Sequence, residues 1–135
     1  MVVVGLAFTM LPSWVGGNLI DIQATHRALV YQAQLRQGLT KLVSESGAAR
    51  LLSCGTVMTE GFQVPMVAYM LDVRTLRIEA PPAAGAPPGP APNVILQTRD
   101  TRDATLLPII QEWPSVHYRY LGESGPFRLF THCGG

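Results

Sequence analysis

Charge is scarce in this chain. Only 14% of its 135 residues are Asp, Glu, Lys or Arg, against roughly a quarter in an average soluble domain. One lysine, Lys41, stands against nine arginines, and the formal net charge is +1. With the charges scattered, there is no electrostatic footprint for nucleic acid and no polybasic patch for a membrane surface. From Met1 to Ile20 the chain has no ionisable side chain at all. It therefore lacks the positively charged start of a secretory signal, and no clean small-residue cleavage site follows. The apolar run is interrupted at Pro12, short of the roughly 20 residues that span a bilayer.

Signature motifs are equally sparse. Neither G-x-G-x-x-G nor G-x-x-x-x-G-K-[ST] occurs, so no phosphate cradle and no nucleotide cofactor are expected. G-x-S-x-G is missing too. Three histidines (His26, His117, His132) and two cysteines are too few and too far apart for the short ligand spacing of structural zinc. His132 and Cys133 are adjacent on an expected strand, which sends their side chains to opposite faces. No metal site is assigned.

What is present begins with residues 1–17, an apolar segment that reads as the end of a membrane helix, with Trp14 where an interfacial aromatic would sit. A buried strand, "VVVGLAF", is the alternative. Residues 18–135 read as a single domain, long enough to bury its own core. Over 19–46, Leu19, Ile22, Leu29, Ala33, Leu35, Leu39, Leu42 and Val43 recur at three- and four-residue steps and predict a long helix. Asn18 is its expected N-cap, Asp21 lies in the first turn, and Gly47 is the stop. Gly38 counts against it by about 1 kcal/mol relative to alanine.

"ARLLSCG" reads as a short strand entering a turn, followed by a polar loop "TVMTEGFQ". "VPMVAYMLDV" is a short helix with Pro65 in its first turn. "RTLRIEA" alternates as a strand does. "PPAAGAPPGPAPN", residues 81–93, holds six of the eleven prolines and predicts a mobile surface loop with polyproline character. "NVILQTRD" is a buried strand and "DATLLPIIQEW" a short helix broken near Pro108. "SVHYRYLGESGPFRLFTHC" is an antiparallel hairpin with its loop at Gly122–Gly125. The sum is a small α/β domain: a mixed sheet of about five strands with one long and two short helices, ending in an antiparallel hairpin.

Three readings compete for the only cysteines, Cys54 and Cys133. Metal ligation fails on spacing. A nucleophilic Cys54, with His117 or His132 as base and Asp72 or Asp103 to orient it, needs partners that nothing in the spacing selects. The third reading is a disulfide closing a loop over most of the domain, favourable by roughly 4 kcal/mol and durable only outside the reducing cytosol. Two buried free thiols are its alternative. Two further places are candidates for polar ligands. Thr56, Glu60, Gln63 and Tyr69 surround the start of a short helix after a strand and form the expected small-molecule site. "RDTRD", with Arg99, Asp100, Arg102 and Asp103, is a solvated turn or an exposed site for a polar or anionic ligand.

"LLSCG" after a long helix, the "VP-x-VAYML-V" segment and the C-terminal strand ending in Cys together resemble the C-terminal extracytoplasmic domain of actinobacterial multi-pass membrane proteins. Those proteins are often grouped with polyprenol-phosphate-dependent glycosyltransferases. The resemblance covers about residues 12–133 and carries over no catalytic residue. It implies a location on the extracytoplasmic side of the cell membrane. It also implies a role as a non-catalytic accessory or binding domain in envelope glycan assembly. Its expected partners are the membrane part of its parent protein and glycan or lipid-linked sugar. A small soluble enzyme using a cysteine nucleophile is the rival reading.

Overall fold

A computed structural model describes residues 21–134. The described residues fall into two units, divided between Val30 and Tyr31. The apolar segment 1–17, Asn18 and Leu19 lie outside the described residues. Among those described, no helix is long and apolar enough to cross a membrane.

The long helix α1 runs Ile22–Ser46. Asp21 caps it, its Oδ1 accepting the Ala24 N–H at 2.9 Å, and Gly47, at φ +81°, ends it. The whole stretch 21–30 is exposed, so Ile22 and Leu29 do not join the buried stripe. Nor does Ala33. From Tyr31 onward the stripe is Tyr31, Leu35, Leu39, Leu42 and Val43, spaced as one face of a 3.6-residue helix. Tyr31 extends the face that its polar hydroxyl hides from a purely apolar pattern.

"ARLLSC" is not a strand. Ala48–Cys54 forms a second helix, α2, since a seven-residue apolar run fits a buried helical turn as well as a strand. The first strand is instead β1, Val57–Thr59, inside what reads as a polar loop. All three of its residues are buried, and the Thr59 hydroxyl is satisfied by the Leu96 carbonyl at 2.8 Å. A 3₁₀ turn, Gly61–Gln63, leads into α3, Val64–Met70, with Pro65 in its first turn as expected. After a second 3₁₀ turn comes β2, only Ile78–Glu79. Strand β3 is Val94–Gln97, and the hairpin is β4, Arg119–Ser124, and β5, Phe127–Thr131.

These strands form one sheet in the order β2-β1-β3-β5-β4. β1 is parallel to β2 and to β3, β3 is antiparallel to β5, and β5 to β4. The architecture is therefore the expected mixed five-stranded α/β sheet with one long and two short helices. The turn is tighter than expected. Ser124 pairs with Phe127, so Gly125-Pro126 alone connects the strands, with Gly125 at φ +56°. Gly122 sits in β4 beside a register shift between Tyr120 and Gly122, where an extra residue bulges the strand.

Both faces of the sheet are covered. One packs Val57, Val94, Leu96, Phe127 and Leu129 against the α1 stripe and Val67, Ala68 and Leu71 of the α3 region. The other carries Met58, Ile95 and Phe130 beneath Trp113 and Tyr118. No regular helix builds that second layer: the segment expected as helix 103–113 holds only a 3₁₀ turn at Ile110–Glu112. The backbone of Thr98 pairs with that of Leu107 through hydrogen bonds of 2.8 and 2.9 Å, which draws the chain into a loop instead. The proline-rich stretch is anchored here. Trp113 Nε1 donates to the Gly89 carbonyl at 3.0 Å, and the Tyr118 hydroxyl donates to the Pro92 carbonyl at 2.7 Å. Proline cannot supply N–H donors, so the aromatics reach its carbonyls.

Burial raises the pKa of Tyr118 above 10.0. The phenol's contribution to stability is therefore complete below pH 10 and is lost as the pH rises through the higher folded value. Its deprotonated form can no longer donate to Pro92. Urea midpoints should fall between pH 8 and pH 11. Tyr118→Phe should be less stable at pH 8 by about 1 kcal/mol yet lose less than the native chain over that interval. An equal or steeper loss would remove Tyr118 as the titrating group.

Candidate functional site

The two cysteines meet. Cys54, the last residue of α2, is bonded to Cys133, just beyond β5, with Cα atoms 4.9 Å apart and 79 residues between them in sequence. Gly55 follows at φ +139°, and a side chain there would run into the Asn93 amide. That amide is the hub of the region. Asn93 Oδ1 accepts from the Thr56 N–H at 3.1 Å and from the Thr56 hydroxyl at 3.3 Å. Asn93 Nδ2 donates to the His132 carbonyl at 3.1 Å, and the His132 N–H donates to the Asn93 carbonyl at 2.7 Å. One side chain thus joins the start of β1 to the end of β5, beside the covalent bond.

A cleft of about 460 Å³ opens next to this staple. Its titratable walls are Glu45 from α1, Arg50 from α2, His117 just before β4, Arg119 and Glu123 of β4, and His132 beside Cys133. His132 packs edge-on against Tyr118, ring centroids 6.2 Å apart. Among the described residues neither histidine is hydrogen-bonded to a carboxylate or a hydroxyl, and Cys54 is not a thiol. The arrangement offers donors to a polar or anionic ligand. Among the described residues no group of three His, Cys, Asp or Glu gathers as a metal site would.

The residues expected to bind a small molecule are dispersed. Thr56 precedes β1, its hydroxyl and N–H engaged by Asn93. Glu60 is buried past the opposite end of that strand, where Oε2 accepts from the Phe62 N–H at 2.9 Å and caps the 3₁₀ turn. Gln63 is buried beside Glu60's turn and borders a hollow with Gln32, Phe62, Met66 and Asp100. Tyr69 is 76% exposed. Glu60 and Gln63 lie on one turn; Thr56 and Tyr69 do not share their surroundings. Arg50 and Arg119 carry no sequence signal, because they stand 69 positions apart in the chain and meet only in the folded cleft. Asn93, at the end of the proline-rich stretch, reads as a turn residue until its partners 37 and 39 residues away are seen.

Comparison with known protein families, curated proteins and solved structures finds no match.

Proposed function

We propose that this chain is a non-catalytic, extracytoplasmic accessory or binding domain of a membrane protein. In this reading it works in envelope glycan assembly, with the membrane part of its parent as partner. The observation that carries the reading is the Cys54–Cys133 disulfide. A bond of this kind persists in oxidising compartments and is reduced in the cytosol. The charge-free Met1–Ile20 segment and the resemblance of "LLSCG" and "VP-x-VAYML-V" to envelope membrane proteins point the same way. The cleft beside the staple supplies a surface for a polar glycan or a lipid-linked sugar, with Arg50, His117, Arg119 and His132 as donors. The rival, a thiol enzyme, requires a Cys54 thiolate, which the bonded cysteine does not provide.

The test is the redox state of the protein in its own host. Cells are quenched in acid and thiols are tagged with a mass label before and after reduction. The expected result is no label before reduction and two labels after it. Two labels without reduction would place the domain in a reducing compartment and end the proposal.

A further inference from the structure

The charged loop after β3 acquires a third arginine in the folded chain. Arg99 and Arg102, from "RDTRD", and Arg128, from β5, line one hollow of about 270 Å³, together with Tyr31 of α1 and Glu123 of β4. Each guanidinium in this group that has a described partner is held by it. Arg99 Nη1 donates to the Arg102 carbonyl at 3.1 Å, and Arg128 Nε stands 3.4 Å from Glu123 Oε2. The Tyr31 hydroxyl donates to the Arg99 carbonyl at 3.1 Å, which fixes the loop against the helix. Of the loop's own carboxylates, Asp100 lies near enough to act on Tyr31. Asp100 folds back on the Thr101 N–H at 2.7 Å and borders a different hollow. Asp103 does not line this one.

Three guanidiniums and one carboxylate line this hollow. Like charges gathered on one wall repel, and an anion placed among them relieves that repulsion. Guanidinium forks match phosphate oxygens in pairs. Three forks around one opening suit an anion with three equivalent oxygens better than a two-oxygen carboxylate, which one fork already satisfies.

We propose that Arg99, Arg102 and Arg128 form a binding site for a phosphate group, presented as a phosphate ester or a diphosphate. The three arginines do not line the cleft beside the disulfide, although Glu123 borders both hollows, and the site does not depend on the compartment in which the domain resides. Two sources carry this chemistry, a soluble phosphorylated compound and a phospholipid headgroup.

The test is a titration of ¹⁵N-labelled protein with sodium pyrophosphate and with inorganic phosphate, against sodium chloride of equal ionic strength, reading the arginine Nε–Hε resonances. The expected result is a saturable shift of Arg99, Arg102 and Arg128 with pyrophosphate that chloride does not reproduce. Arg102→Gln should weaken it at least about tenfold, since charge-assisted hydrogen bonds are worth about one such factor or more each. Arg102 is exposed and it is its backbone that holds Arg99, so the variant should keep the native melting temperature. Sedimentation with phosphatidylcholine vesicles with and without phosphatidic acid, whose headgroup is a phosphate monoester, separates the sources. Binding to phosphatidic acid vesicles that Arg102→Gln abolishes supports the headgroup, and pyrophosphate binding without vesicle binding supports the soluble compound. Shifts that chloride matches, or a folded Arg102→Gln that binds pyrophosphate as the native chain does, would overturn the site.

Discussion

Replacing Cys54 and Cys133 together by alanine is expected to lower the melting temperature by about 10–20 °C, the equivalent of roughly 4 kcal/mol in a domain of this size. The bond closes a loop of 79 residues, and the unfolded chain regains the freedom that this closure denied it. The loss is expected in full because the bond joins elements with little else in common. α2 is a seven-residue helix with only Leu51 fully buried, too short to be stable without tertiary support. Reduction of the native protein should reproduce the double substitution. Thermal unfolding followed by circular dichroism, with and without reductant, measures both. A shift under about 3 °C would mean that the Asn93 hydrogen bonds hold the two ends together without the covalent link.

Gly38→Ala should destabilise by about 2–4 kcal/mol, as overpacking and backbone displacement in a core do. The expected sign is the informative part, since alanine normally stabilises a helix interior by about 1 kcal/mol over glycine. Here the hairpin turn lies directly on the helix. A Cβ at position 38 would overlap the Ser124 carbonyl oxygen and approach the Ser124 carbon to 3.0 Å and the Gly125 Cα to 3.3 Å. All three are backbone atoms, which cannot rotate away as the end of a flexible side chain would. Gly125 meets the same contact from the other side, its own Cβ position 3.2 Å from the Gln34 carbonyl oxygen. Denaturant unfolding of Gly38→Ala settles the point; a rise in stability would show that the turn is free to lift off.

Gly38 also illustrates what a sequence withholds. Its helical setting is legible, because Leu35, Leu39, Leu42 and Val43 repeat at the helical period, but its purpose lies in a turn 87 positions onward. Patterns that are long and periodic, as in α1 and the final hairpin, survive translation into structure. Short ones do not. "ARLLSC" and "VMT" are both compact apolar runs, and only their neighbours decide that the first coils and the second joins the sheet. The expected helix at 103–113 gives way for a similar reason. Trp113 is used as a lid on the second face of the sheet, where a loop serves once Thr98 and Leu107 are paired. Of the site residues, Cys54 and Cys133 were legible because elimination left few fates for two cysteines. Asn93, and the meeting of Arg128 with "RDTRD", depend on strand order, which no local pattern encodes.

The two outermost strands of the sheet have a consequence for solubility. β2 is two residues long, too brief to template a foreign strand. β4 is bulged near Gly122 and presents Arg119 and Glu123 to solvent. Short, bent and charged margins discourage edge-to-edge growth into larger sheets. This is useful in a chain whose mean hydropathy is +0.21 and whose surface carries so few charges. Continued strand pairing is thereby disfavoured at both rims of the described sheet.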